Sequence, residues 1–370
     1  MFSIDAVAYL IGSGSMSIGV EQAGYTIRKI YETPGYSKNA KTWDINKPDL
    51  KHEVLEMDSA ERIPDAQGVD LIYGNPPCGG MSNITGAHSS SPTNEIMIKW
   101  LKVCVNTRPR MILMENAYQI ATKNGEPILR RLMSIAESAG YHAWVWEFFS
   151  WQLGCPQRRR RAFFCATLDK PNPNKISLED LPQTCPGDLS VMDWLWDLEK
   201  VTPSPNPVYS MLGHEVTMHW WDNTGVKVSE LLPEHFDIAT KLFVVKRQYE
   251  KLMNSSKSSD KSKLKRVIAD GLYWENAPQI FDSMMEFRKP KLIPLFGPIN
   301  TVVSDFVLVH PTVKRLLTMR ENARLMGYPD HWKFHNCKAN LVAQGVPAIN
   351  AKWAAKRIRE TVGLYSPLPL

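Results

Sequence analysis

Short apolar runs that stop on glycine, proline or a polar residue alternate with helical stretches along the first 168 residues, and this alternation leaves few architectures open. Ala6–Ile11 is apolar and is closed by Gly12-Ser13-Gly14-Ser15; a helix is predicted from about Met16 to Ala23, stopped by Gly24. Thr26–Tyr31 reads as a second strand ending at Glu32, and Val69–Tyr73 as a third. Over Asn94–Asn106, residues Ile96, Met97, Trp100, Leu101 and Cys104 fall on one helical face. Arg110–Met114 reads as a strand. Asn124 is predicted to cap a helix running through Ser138, with Pro127 in its first turn and Gly140 as its stop. Strand-like runs return at 141–149 and 162–168. The pattern predicts an α/β fold: a mixed, mostly parallel sheet with helices on both faces.

Near residue 169 the pattern breaks. The chain is Pro-rich over 171–206, aromatic at His219-Trp220-Trp221 and polar over 251–266. Helical pattern resumes over Thr312–Met326 and Ala348–Val362. We therefore expect a large domain over 1–168, a smaller irregular one over 169–305, and a return segment over 306–370 that completes the first. The aromatic triplet reads as a core of the small domain, and the Lys/Ser-rich stretch as a solvated loop.

Composition narrows the class. Hydrophobic residues make up 44% of the 370, which excludes global disorder. A formal charge of +6 suits a polyanionic partner if it is clustered, but names none. The six cysteines include no C-x-x-C pair, so neither a zinc ribbon nor a disulfide framework is expected, and no metal. Cys104 and Cys165 lie in apolar runs and read as core. No apolar stretch reaches membrane-spanning length, and no basic-then-apolar leader opens the chain. The sequence reads as a soluble, cytoplasmic protein without a membrane partner.

Several residues stand where such folds place chemistry. Gly12-x-Gly14, between a strand and a helix, would let a ligand approach the backbone at a helix N-terminus; a plain tight turn explains it equally well. Glu32 lies about twenty residues on, where an acid that binds ribose hydroxyls belongs. Asp58, after Val54-Leu-Glu-Met57, is placed to accept from an adenine amino group. Together these acids point to an adenosyl cofactor; singly, each reads as a solvated surface residue. Cys78, in Gly74-Asn75-Pro76-Pro77-Cys78-Gly79-Gly80-Met-Ser82, is either a small buried hydrophobe or an accessible thiol, and two prolines with two glycines make a poor core. Glu115, directly after a strand, is either a surface acid or a buried proton donor with a raised pKa. Arg159 and Arg161 alternate into a strand and share a face, where they would hold a carbonyl oxygen or an anion; simple phosphate binding is the alternative.

The order of these motifs resembles the cytosine-C5 DNA methyltransferases, over about 1–168 and 306–370. Gly12-Ser-Gly14 through Gly24 is similar to the family's first cofactor motif, and Asn75-Pro-Pro-Cys78-Gly-Gly-Met-Ser82 to its catalytic-cysteine motif. Glu115-Asn116-Ala117 resembles its Glu-Asn-Val, and Gln157-Arg-Arg159-Arg-Arg161 its Gln-x-Arg-x-Arg. Arg315 through Asp330 matches the motif that follows its recognition domain, and Gln344-Gly-Val346-Pro347 takes the place of its last motif. The resemblance implies a Rossmann-like, class I S-adenosylmethionine-dependent methyltransferase fold, with 169–305 as target-recognition domain. It implies the cofactor S-adenosyl-L-methionine, held by Leu10, Gly12, Ser13, Gly14, Glu32, Asp58, Asn75, Pro76, Ile96, Gln344 and Val346. It implies double-stranded DNA as substrate, touched by Pro77, Ser82, Asn116 and Gln157, and a monomeric enzyme. Cys78, Glu115, Arg159 and Arg161 would be catalytic: the thiolate adds to C6 of a flipped-out cytosine, Glu115 bonds N3, and the arginines hold O2. Asn116 would brace the Glu115 loop, and the segment 79–93 would close over the DNA.

The chain departs from the pattern at several places. Ala8-Tyr9-Leu10 stands for Asp-Leu-Phe, Asn75 for a glycine, Gly79 for a glutamine, Ala117 for a valine, and Ala343-Gln344-Gly345-Val346 for Gly-Asn-Ser/Ala-Val. Most of these changes touch the cofactor side. Two other readings follow: the same chemistry on a tRNA cytosine, and a DNA-binding relative with lost or altered donor use. The size of 169–305 favours a DNA reader over the first. Retention of the cysteine, glutamate and both arginines argues against the second.

Overall fold

A computed structural model describes residues 4–77, 92–182, 184–198, 291–302, 308–310, 317, 319–335 and 339–364. Cys78, Ser82, His219-Trp220-Trp221 and the stretch 251–266 lie outside the described residues.

The apolar runs are strands: β1 (Ile4–Tyr9), β2 (Tyr25–Glu32), β3 (Glu53–Val54), β4 (Leu71–Gly74), β5 (Met111–Ala117), β6 (His142–Phe149) and β7 (Arg160–Thr167). They form one seven-stranded sheet in the order β3-β2-β1-β4-β5-β7-β6. The first five pair in parallel; β7 runs antiparallel to β5 and β6. This is the mixed, mostly parallel sheet that the strand–helix alternation predicts. The strand order reverses between β1 and β4, and the crevice beyond their carboxyl ends is where open α/β sheets place their ligands.

Side chains alternate across the sheet with period two, and both faces are buried, so the strands read as continuous apolar runs. Ala6, Ala8, Leu71, Tyr73, Met111, Leu113, Phe163 and Cys165 face one layer. Val7, Tyr9, Ile72, Ile112, Met114 and Phe164 face the other. The first layer packs against α1 (Ser15–Gln22), α2 (Ser37–Asn46) and the last helix, Ala348–Thr361; the second packs against α3 (Pro92–Thr107) and α4 (Glu126–Ser138). Cys104 and Cys165 are fully buried, one in each layer. The cap of α4 is Gly125 rather than Asn124. A Cβ on Gly125 would strike the Gln119 carbonyl and Ile120, so the turn before α4 packs too tightly for any larger capping residue.

Gly19 sits in mid-helix, where glycine costs stability. A Cβ there would meet the Ala348 carbonyl and lie 2.7 Å from Ala351 Cβ. The glycine lets α1 lie directly on the last helix, which is lined by Ala351, Ala354 and Ala355. Arg359 Nη1 donates to Ala23 O at 2.6 Å, and Tyr25 Oη to Ala355 O at 3.0 Å, so the return segment closes on the first β–α unit.

The flanks of the expected second domain pack on the sheet. Leu181, Val191, Leu195, Ile293, Ile299 and Val302 join the first layer's core. Arg158 N donates to Ile299 O at 2.8 Å and Ile299 N to Pro156 O at 2.9 Å. The centre of that domain, 199–290, lies outside the described residues. Helix is described over Met319–Leu325 within the predicted Thr312–Met326 stretch. Arg324 there pairs with Asp330 (2.5 Å) and with Asp197, and donates to Trp194 O at 3.1 Å. Arg320 instead donates to Pro329 O and Trp332 O, and Glu321 lies buried 3.7 Å from His310.

Among the described residues, no helix is long and apolar enough to cross a membrane.

Candidate active site

The crevice between β1 and β4 begins at Leu10. Its φ of +66° is an uncommon conformation for a leucine, and it turns the chain sharply at the end of β1. Leu10 N donates to Tyr31 O, and Asn75 N donates to Leu10 O at 2.7 Å, which ties three strand ends together. Beyond the turn, Ile11 N (2.7 Å) and Gly12 N (3.0 Å) both donate to Glu32 Oε1. Glu32 is fully buried, and burial pushes its pKa up to about 8 against the pull of those two N–H groups. Its other oxygen, Oε2, is buried without a partner. Gly14 caps α1 with φ +93°, and a Cβ there would lie 2.8 Å from the Trp43 ring. Ser13 Oγ is 2.6 Å from the Tyr328 hydroxyl, which ties the loop to the return segment.

These features fit an adenosyl group. An orphaned buried carboxyl oxygen needs a hydrogen-bond partner, and a ribose diol supplies one. Gly12 has open space where a Cβ would stand, so the loop backbone is approachable. The last motif reaches the same place: a Cβ on Gly345 would lie 2.7 Å from Ser15 Oγ. Val346 is buried and Gln344 exposed. Asp58 is exposed and ion-paired with Lys99 of α3, one turn from half-buried Ile96. The structure thus brings Leu10, Gly12, Ser13, Gly14, Glu32 and Asn75 together, while the contact it gives Asp58 is with Lys99 of α3.

On the other side of β4, the chain leaves Gly74 as Asn75-Pro76-Pro77 and heads for Cys78. Asn116 Nδ2 donates to Pro76 O at 3.1 Å, so this amide braces the proline loop. Glu115, one residue earlier on β5, is 1% exposed. The Asn75 amide donates to its Oε2, and Arg161 Nε stands 3.0 Å from its Oε1. The antiparallel register sets Arg161 opposite Ala117, diagonal to Glu115, which is how the guanidinium reaches the carboxyl. Burial raises the Glu115 pKa, while the charges of Arg161 and Arg159 act to lower it. Burial thus makes this acid a better proton holder than an exposed glutamate, within reach of two guanidinium groups.

The two arginines are put to different uses. Arg161 faces the glutamate. Arg159 is 3% exposed and donates to Val302 O (2.9 Å), Ala343 O (2.7 Å) and Gly345 O (2.6 Å). Gln157 is likewise buried, donating to Leu325 O at 2.6 Å and accepting from Val302 N at 3.1 Å. Both act in this arrangement as cross-links between the start of β7 and the return segment. Residue types alone did not reveal the Asn75–Glu115 contact or the Tyr328–Ser13 contact. A polar residue in place of glycine at position 75 was the one available signal for the first; the second joins residues 315 positions apart. Among the described residues, no three His, Cys, Asp or Glu side chains gather in a metal-binding group.

Comparison with known proteins gives a family match over nearly the whole chain. The sequence model of the C-5 cytosine-specific DNA methylases covers residues 5–360. The chain is 24% identical to the type II methyltransferase M.AgeI of Thalassovita gelatinovora, over 95% of this chain and 98% of that one. It is also 24% identical to M.FnuDI of Fusobacterium nucleatum, over 95% and 93%. Among solved structures, the fold is shared with the methyltransferase EhMeth of Entamoeba histolytica (TM-score 0.59, 10% identity, 97% of this chain and 99% of that one). It is shared too with the Schizosaccharomyces pombe Dnmt2 methyltransferase (TM-score 0.57, 12% identity, 97% and 98%).

Proposed function

Because the chain belongs to the C-5 cytosine-specific DNA methylase family, we propose that it methylates C5 of a flipped-out cytosine in duplex DNA through a covalent Cys78–C6 adduct. The observation that carries this reading is the meeting, at one sheet edge, of Glu115 with Arg161 and of the proline loop that leads into Cys78.

C5 of cytosine is a poor nucleophile until C6 carries an electron-rich substituent. In this reading the Cys78 thiolate forms the S–C6 bond, and the ring electrons move toward N3. Glu115 supplies the hydrogen bond or proton at N3, which its buried and therefore weakly acidic carboxyl suits. Arg161 keeps that carboxyl oriented, and Asn116 holds the loop that carries the thiol. S-adenosyl-L-methionine, when bound, supplies an electrophilic methyl group. Gly12 would admit it to the backbone, and Glu32 Oε2 would hydrogen-bond its ribose hydroxyls. Loss of the C5 proton then lets the S–C6 bond break and returns the thiolate. C6 is out of reach within stacked duplex, so the base must leave the stack. Arg159 and Gln157 serve this site by fixing the return segment against it.

The test uses duplex DNA with 5-fluorocytosine in place of cytosine. Fluorine cannot leave as the proton does, so the S–C6 bond is trapped. The wild-type protein with donor should give a stable DNA–protein adduct that Cys78→Ala does not give, although the variant folds normally. In parallel, nucleosides from methylation-free cells expressing the protein should contain 5-methyldeoxycytidine by mass spectrometry. Methylated tRNA with unmodified DNA would move the substrate assignment, and neither product would sink the reading.

A further inference from the structure

Asn75 occupies a position where the resembling pattern has glycine, and its side chain lies in the candidate base site. Its backbone N–H closes on Leu10 O at 2.7 Å, which fixes its Cα at the junction of β1 and β4. From there the side chain reaches β5, and its amide donates to Glu115 Oε2. Its Oδ1 turns toward the last motif, 3.9 Å from where a Gly345 Cβ would stand. The two Glu115 oxygens are therefore unlike. Oε2 is held by an amide donor; Oε1 lies beside Arg161 Nε at 3.0 Å but accepts no hydrogen bond among the described residues.

That difference has a chemical consequence. A carboxyl oxygen that receives an N–H bond is a poor place for the acid proton, because two hydrogens would face each other. Oε1 has the Arg161 guanidinium 3.0 Å away, which likewise disfavours a proton there, so the carboxyl is held from both sides. The Asn75 contact also stops the carboxyl plane from rotating about its last bond. We propose that Asn75 is a positioning residue for Glu115, locking the orientation in which its carboxyl serves the substrate ring. This rests on the reading of Glu115 as the partner of cytosine N3. It also moves Asn75 from the cofactor side, where the motif order put it, to the base side.

The charged groups acting on Glu115 are Arg161 of β7 and Arg159 just before it; both favour the carboxylate, as does the Asn75 donor. Loss of the donor should therefore raise the Glu115 pKa further.

The full-length protein can be tested with Asn75→Ala, Asn75→Asp and Asn75→Ser. Alanine removes the contact, aspartate keeps the shape without an amide donor, and serine restores a donor. With cytosine-containing duplex and S-adenosylmethionine, alanine and aspartate should lower kcat by about 10²-fold, the scale of a misplaced catalytic group. KM for the donor and Kd for S-adenosylhomocysteine should stay unchanged, and serine should recover most of the lost kcat. The carboxyl 13C resonance of Glu115, assigned by its loss in Glu115→Gln, should titrate at higher pH in Asn75→Ala than in wild type. A folded Asn75→Ala with wild-type kcat and wild-type Glu115 titration overturns the proposal. So does a loss confined to donor affinity, which would return Asn75 to the cofactor. If the wild type transfers no methyl group while Asn75→Ala still moves the titration, the Asn75–Glu115 coupling stands and the methyltransferase reading is what fails.

Discussion

Glu32 and Glu115 are both fully buried, and in each burial raises the pKa while the neighbours act to lower it. Glu32 faces two backbone N–H groups at Oε1 and nothing at Oε2, and burial holds its pKa near 8. Below that pH the folded protein keeps a proton that the unfolded chain releases above its ordinary carboxyl pKa of 4.5. The folded state then binds more protons than the unfolded one, so stability falls as pH rises from about 4.5 to about 8. At roughly 1.4 kcal/mol per unit the loss is a few kcal/mol. Glu32→Gln should flatten this slope, read as Tm against pH from 5 to 8; an unchanged slope would refute the assignment. Glu115 has a guanidinium and an amide beside it, so its neighbours act to stabilise its charge. Glu115→Gln should cut kcat for methyl transfer by about 10²–10⁴-fold, the usual worth of a positioned acid, without weakening S-adenosylhomocysteine binding. Both acids were legible as candidates because each follows an apolar run. Which oxygen of each is left without a hydrogen-bond partner was not, since the groups that decide it come from other segments.

At the scale of elements, the sheet was legible because burial on both faces writes each strand as an apolar run. The order of the strands was not, since pairing is a long-range choice that no run encodes by itself. Helix α1 shows where local propensity fails. Gly19 weakens it as an isolated helix, but the last helix lies where a Cβ would be. Gly19→Ala should therefore destabilise the protein despite alanine's better helix propensity, by about 1–3 kcal/mol, the cost of overpacking. Urea unfolding decides it: a stabilised variant would mean that the two helices can separate freely. The Gly125 cap carries the same lesson. Asn124 is the better capping residue, and the tight turn over Gln119 and Ile120 selects its neighbour.

Across the whole molecule, Arg159 is the main stitch between distant segments. Its three carbonyl partners are contributed by residues 302, 343 and 345, so one guanidinium gathers two distant stretches of chain onto the start of β7. Arg159→Met keeps the bulk of the side chain but leaves those carbonyls without their donor. At ~1–3 kcal/mol for each unsatisfied buried group, stability should drop by several kcal/mol and Tm with it. Arg161→Met removes the ion pair with Glu115 and one hydrogen bond to the neighbouring Arg160 O; it should lower kcat far more than Tm, and equal effects from the two variants would argue against the division of labour. Hydrophobic period and residue type are local properties, so the α/β class, the strand and helix periods and the candidate site residues were legible in the chain alone. Tertiary structure decided which arginine meets the glutamate, which oxygen of each acid is left without a hydrogen-bond partner, and that the Asn75 amide meets Glu115. Those outcomes depend on strand order and on contacts between residues tens to hundreds of positions apart, which no local pattern records.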